Sequence, residues 1–156
     1  MAFIVTGTPG TGKTEIAKEI AKKMNLKYIN ANSVIKEKKL IEYYDKEKQT
    51  NVVDEKKLVQ ELLKIIKKNN KVIIDTHLSH EIPPKKINLC IVTKCELKEL
   101  KKRLKKRGYK ENKIQENLDA EIFDICLNEA KEKGHKILLI DTTNKTAKEI
   151  INNLLI

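Results

Sequence analysis

Residues Gly7-Thr8-Pro9-Gly10-Thr11-Gly12-Lys13-Thr14 form a G-x-x-x-x-G-K-[ST] run, set between an apolar stretch and a helical pattern. Ala2 to Val5 reads as a short buried strand, and Glu15 to Met24 places Ile16, Ile20 and Met24 on one helix face. Strand, glycine-rich turn and helix start, in that order, are the setting of a phosphate-binding loop. The glycines let the backbone curl around phosphate oxygens with no Cβ in the way. Lys13 offers a point charge to terminal phosphates, and Thr14 a hydroxyl for Mg²⁺. The helix start adds unpaired N–H groups and the positive end of a dipole. Three of the chain's five glycines lie in this run, so the run is not the by-product of a glycine-rich composition.

The rest of the chain alternates in type. Apolar runs at Lys27 to Ile29, Val72 to Ile74, Leu89 to Thr93 and Ile137 to Ile140 read as further strands. Between them lie helical patterns: a short one capped by Asn32 or Ser33, one capped by Asp54 with Leu58, Leu62, Ile65 and Ile66 inward, and one over Glu96 to Arg107. Gly108 breaks that last pattern. A long helix is expected from Asn112 to Lys133, with Gly134 as its C-terminal cap. Thr146-x-x-Glu149 is a capping box opening a final helix. Glu42 to Asn51 is polar and without clear periodicity. This alternation predicts an α/β fold: one P-loop domain over residues 1–156, with a five-stranded parallel sheet and helices on both faces. Ligands belong at the C-terminal strand edge of such a sheet.

Composition narrows the setting. A chain of 156 residues suits one core, and with aromatics at 4% that core must be Ile, Leu and Val. No apolar run is long enough to span a membrane and the N-terminus enters a strand directly, so neither a span nor a signal peptide is expected. Cys90, Cys95 and Cys126 are an odd set without C-x-x-C spacing, which argues for a reducing, cytoplasmic setting and against zinc. The formal charge of +11 favours anionic partners such as nucleotides, RNA or acidic protein tails. A charged fraction of 35% equally fits a thermophile's surface.

Almost all the positive charge is Lys; the two arginines, Arg103 and Arg107, stand four residues apart. Planar, forked recognition of phosphate is a task Lys does poorly, so this pair is assigned to it. A basic lid hinged at Gly108 can then close over phosphates and exclude water. Asp75 ends an apolar strand at the ligand edge, where it either holds Mg²⁺ through water or caps a turn. His77, two residues on, either orients water or an acceptor in the cleft or is simply solvated. His80 and His135 are weaker candidates. Lys36 and the Tyr43-Tyr44 segment are candidates for a second substrate. No hydrolytic Ser/His/Asp set or paired acids stand out. Phosphoryl transfer needs none, because its work is alignment and charge neutralisation.

Several separated stretches, in order, resemble one family: the loop Gly7 to Thr14, Leu26-Lys27-Tyr28-Ile29-Asn30, Asp54-Glu55, Asp75-Thr76-His77, Arg103-Leu104, Arg107-Gly108-Tyr109, and Asn117 followed by Glu121-Ile122-Phe123. Together they are similar to adenylate kinase isoenzyme 6, the CINAP-type atypical adenylate kinases of archaea and eukaryotes. The resemblance implies a nucleoside monophosphate kinase-like fold with an AMP-binding arm near residues 30–53 and a short lid near 106–116. It implies Mg²⁺-dependent transfer from ATP to AMP, giving two ADP, together with ATPase activity. By matched position, Gly10, Gly12, Lys13, Thr14, Glu15 and Arg107 hold ATP, and Lys145 lies by its adenine. Asn30 and Lys36 fall to AMP, with Lys36 standing where the family often has Arg. Thr14 and Asp75 fall to Mg²⁺; Lys13, Asp75, His77, Arg103 and Arg107 are the expected catalytic set. The resemblance also implies a role in ribosome biogenesis and rRNA processing, through a small-subunit ribosomal protein and pre-rRNA. A monomer or weak dimer is expected.

Overall fold

The computed structural model describes residues 1–154. The chain begins with β1 (Ala2–Thr6), α1 (Lys13–Met24), β2 (Lys27–Asn30) and α2 (Ala31–Glu37). A hairpin of β3 (Ile41–Asp45) and β4 (Thr50–Val53) follows, then α3 (Glu55–Lys68), β5 (Val72–Asp75) and β6 (Leu89–Lys94). The remainder is α4 (Leu97–Lys106), α5 (Glu111–Ile122), α6 (Ile125–Lys133), β7 (Ile137–Asp141) and α7 (Ala147–Asn152). Five strands form one parallel sheet in the order β2-β5-β1-β6-β7.

Successive residues of the central strands point to opposite faces, and each face is buried. Ile4, Val72, Ile74, Cys90 and Val92 pack with Val34 of α2, Leu58 and Leu62 of α3 and Leu127 of α6. Phe3, Val5, Ile73 and Ile91 pack with Ile16 and Ile20 of α1 and Ile151 of α7. Each such side chain, fully buried, contributes about 1.5–3 kcal/mol. A separate small core of Cys95, Leu100, Leu104 and Ile114 joins α4 to α5. The parallel register brings one set of strand ends to a common edge. Val5 lies beside Asp75, Thr6 beside Val92 and Lys94 beside Asp141, so everything that follows these residues converges there.

Three local expectations need correction. The polar stretch after residue 41 is an antiparallel ribbon, with Tyr43 opposite Val52 and Asp45 opposite Thr50. Its side chains are largely exposed, so no buried face imposed an alternation on the sequence. The long helix expected from Asn112 to Lys133 is two helices, broken where Asp124 adopts φ 50. Asp tolerates that left-handed conformation better than most residues, and its carboxylate bonds the Lys94 ammonium. The cap of α2 is Asn30, whose side chain accepts from the Asn32 N–H at 2.8 Å, rather than Asn32 or Ser33. The caps at Asp54, Gly134 and Thr146 are formed as the spacing predicts.

Candidate nucleotide site

The loop between β1 and α1 is held from three directions. Gly7 runs so close to β6 that a Cβ there would sit 2.3 Å from Thr93 Oγ1 and 2.8 Å from its carbonyl oxygen. Gly12, which opens α1, takes φ +88, a conformation that L side chains rarely adopt. Thr11 Oγ1 donates to Thr8 O at 2.6 Å and shares a 2.7 Å bond with Thr93 Oγ1. From the far end of the chain, Thr142 Oγ1 donates to Thr11 O at 2.6 Å. Arg103 fastens both: Nη1 donates to Gly10 O at 3.2 Å and Thr142 Oγ1 at 3.0 Å, and Nη2 to Thr142 O at 2.7 Å.

The third anchor is a buried carboxylate. Glu121, 6% exposed, accepts from Thr8 Oγ1 at 3.1 Å, from the Cys95 N–H at 2.8 Å and from Lys94 Nζ at 2.8 Å. Burial alone would lower the Lys94 pKa, but its bonds to Asp124 and Glu121 outweigh that and raise it. Both Glu121 oxygens and the Lys94 ammonium thus have partners, the condition under which buried polar groups rigidify a site.

Inside the cradle, Thr14 Oγ1 donates to Asp75 Oδ2 at 2.7 Å and the Tyr28 hydroxyl donates to the same oxygen at 3.0 Å. Burial, then the Asp75 charge, pushes the Tyr28 pKa up to about 12, so Tyr28 remains a donor. Burial also lowers the Lys13 pKa, opposed by Asp75 and reinforced by Arg107. His77 lines the cleft and is itself exposed there. Desolvation by the surrounding protein, then the Lys13 ammonium and His80, pushes its pKa down to about 4, with Asp75 opposing. The ring is neutral at pH 7.

Two cavities meet on this loop. One, of about 520 Å³, is lined by Lys13, Thr14, Asp75 and His77, and by Asn32, Lys48 and Thr50. The other, of about 590 Å³, is lined by Ile16, Arg103, Thr142, Lys145 and Ala147. Both are bordered by Gly10, Gly12, Glu15 and Arg107, so they are the two arms of one cleft. Of the residues expected from the sequence, Gly10, Gly12, Lys13, Thr14, Glu15, Asp75, His77, Arg107 and Lys145 all border that cleft. The two arginines divide: the Arg103 guanidinium is engaged on the loop and Thr142, while Arg107 lies exposed at the junction. Asn30 and Lys36 do not line either arm; Asn30 caps α2, and Asn32 takes the cleft position.

Sequence reasoning gave no site role to Thr142 or Lys48, took Asn32 only as a helix cap, and noted Tyr28 and Glu121 only as part of the family resemblance. Glu121 carried a signal, a lone acid on the inward side of a helix otherwise marked by Ile114 and Leu118. Thr142 had only its place after a strand end.

Comparison with known proteins agrees with this geometry. The family model described as an AAA domain matches residues 4–124. The "Putative adenylate kinase" of Methanocaldococcus jannaschii is 38% identical over 155 residues, covering 99% of this chain and 84% of that one. That of Methanosarcina acetivorans is 43% identical over 156 residues, with coverages of 96% and 81%. The adenylate kinase isoenzyme 6 homolog FAP7 of Saccharomyces cerevisiae is 34% identical, with coverages of 97% and 77%. Among solved structures, shikimate kinase from Acinetobacter baumannii superposes with a TM-score of 0.69 over 97% of this chain and 88% of that one, at 14% identity. YorR of Bacillus subtilis, in complex with phosphorylated GDP, gives 0.64 over 98% and 92%, at 17% identity. These two likenesses establish the fold, and the relatives the lineage: the chain belongs to the adenylate kinase isoenzyme 6 family of P-loop nucleotide kinases.

Proposed function

We propose that the chain transfers the γ-phosphoryl group of ATP to AMP, giving two ADP, and hydrolyses ATP slowly when the acceptor is absent. The observation that carries this reading is the shared border of the two cleft arms, Gly10, Gly12, Glu15 and Arg107. An enzyme that joins two nucleotides needs two pockets meeting at one phosphate cradle. In this reading the base of ATP lies toward Lys145, and AMP lies toward Asn32 and Thr50. The β3–β4 hairpin is the AMP arm, and the α4–α5 corner is the lid.

Transfer proceeds in line. A phosphate oxygen of AMP attacks the γ-phosphorus, the bond to the β,γ-bridging oxygen breaks, and ADP departs with that electron pair. An AMP phosphate is already ionised at neutral pH, so no side chain need remove a proton. Lys13 and Arg107 balance the charge spreading over the transferred group, and the loop N–H groups hold the β-phosphate. The donor set also fits Mg²⁺: Thr14 and Asp75 present hard oxygens 2.7 Å apart on the floor of the cradle. Among the described residues no cluster of three or more His, Cys, Asp or Glu forms a cage for a metal, so phosphates and water would complete the shell. A bound cation, held by Thr14 and Asp75, would supply neutralisation of phosphate charge. A neutral His77 can accept a hydrogen bond from a water in the acceptor arm, which suits ATP hydrolysis.

The test is a coupled assay of ADP formation with ATP and each nucleoside monophosphate in turn. Strong acceleration by AMP is the expected result; phosphate release with no dependence on any monophosphate would refute kinase activity. The second reading, an ATPase acting in small-subunit ribosome assembly through a ribosomal protein and pre-rRNA, is favoured by the +11 charge. Nucleotide-sensitive retention of such a protein in a pull-down supports it, and equal retention with and without ATP counts against it. A monomer or weak dimer working in the cytoplasm is part of both readings. Among the described residues no helix is long and apolar enough to cross a membrane.

A further inference from the structure

We propose that Lys48 is the side chain that grips the acceptor's phosphate, carried into place by a latch between the β3–β4 turn and the start of α5. The proposal rests on the kinase reading above and assigns a residue that this reading leaves open.

The cations of the acceptor arm are few and mostly committed. Lys13 and Arg107 stand at the phosphate cradle. Lys113 donates to Gln49 O at 2.6 Å and lies 4.1 Å from the centre of the Tyr109 ring, so its charge is spent on holding the wall together. Lys36 is one helical turn beyond Asn32 but lines neither arm of the cleft. Lys48 does line the acceptor arm, beside Thr50, and among the described residues its ammonium makes no hydrogen bond or ion pair. A free cation facing a cavity that also holds Asn32 and His77 is what a phosphate monoester dianion requires.

The position of Lys48 is built rather than incidental. Asp45 Oδ1 accepts the backbone N–H groups of Glu47 at 3.0 Å and Lys48 at 3.1 Å, and Gln49 closes the turn at φ 53. The turn is then docked on the other wall. The Lys110 N–H donates to Gln49 Oε1 at 3.0 Å, and Asn112 Nδ2 donates to Glu47 O at 3.1 Å. With Lys113 these make three bonds from one short stretch of chain to another, on both sides of Lys48. They tie the turn to the α4–α5 corner, the segment taken as the lid in the kinase reading. Acceptor grip and closure are thereby one event, which keeps water out until the acceptor is held.

Steady-state kinetics with AMP varied at saturating ATP, alongside equilibrium titration of ATP alone, tests this. Lys48→Ala should raise the AMP KM at least tenfold with little change in kcat, and leave the ATP dissociation constant unchanged. Lys48→Arg should restore most of the loss, because it restores the cation on the same turn. Gln49→Ala combined with Asn112→Ala should raise the AMP KM with Lys48 still present, and Lys46→Ala, on the same turn but outside the cleft, should not. An AMP KM within twofold of wild type for Lys48→Ala, or a tenfold rise for Lys36→Ala in its place, overturns the assignment while leaving the kinase reading intact. Absence of AMP-dependent transfer in the wild-type chain is the separate failure of the kinase reading itself.

Discussion

Replacing Glu121 by Gln exchanges one oxygen for an NH2 group and should unsettle the whole phosphate loop. One oxygen of Glu121 receives Thr8 Oγ1 and Lys94 Nζ, and the other receives the Cys95 N–H. Gln has a single acceptor. If its oxygen serves Thr8 and Lys94, its amide faces the Cys95 N–H donor to donor, leaving a buried group unsatisfied at about 1–3 kcal/mol. The ammonium of Lys94 also loses a charged partner. Breaking a fully buried pair costs about 3–5 kcal/mol, but the Lys94 side chain is 24% exposed and keeps Asp124, so about 1 kcal/mol is the better figure. The total is about 2–4 kcal/mol. For a chain of this size each kcal/mol moves Tm by about 2–4 °C, so melting should fall by about 4–16 °C. Circular dichroism melts read that shift, and an ATP titration reads the accompanying loss of a fixed Thr8. A fall under about 2 °C with unchanged ATP affinity would show that Glu121 does not anchor the loop.

Two further outcomes follow from the site. Arg107→Lys keeps the charge but loses the fork at the junction of the cleft arms, so ADP formation should slow at least tenfold, about 1.4 kcal/mol in the barrier; turnover near wild type would mean a point charge suffices there. His77 has a folded pKa of about 4, below its ordinary 6.5, so the unfolded chain binds the proton first as pH falls. Stability from this group is complete above about pH 6.5 and declines toward pH 4; ring chemical shifts in a pH titration should place the His77 midpoint well under 6.5, and His77→Gln should flatten the stability profile in that window.

What could be read in advance follows from where the sequence was under strict physical demand. The three central strands, β1, β5 and β6, announced themselves because both of their faces are buried and each carries a short unbroken apolar run; the edge strands β2 and β7 are only partly buried and were legible through their place in the strand–helix alternation. The phosphate loop did so because its glycines answer to close approach, at Gly7, and to a left-handed backbone, at Gly12. The β3–β4 ribbon escaped notice for the opposite reason: solvent on its surfaces sets no period. The break at Asp124 was hidden because no glycine or proline marks it, and only Lys94, thirty residues away in sequence, explains it. The contrast between Lys and Arg singled out two residues for one task, phosphate recognition, whereas the Arg103 guanidinium is engaged on Gly10 and Thr142. Arg103 finds its partners 93 and 39 residues away, at Gly10 and Thr142, and no local pattern encodes such distances.

That last arrangement carries a consequence for the order in which the molecule becomes competent. The loop near the N-terminus takes part of its shape from Thr142, 131 residues beyond Thr11, which sits just after the final strand. During synthesis, a growing polypeptide still lacking that strand owns every letter of the loop but not the splint that sets it. Tight capture of nucleotide is thus deferred until the sheet is complete, and nucleotide binding becomes a report that the sheet has closed.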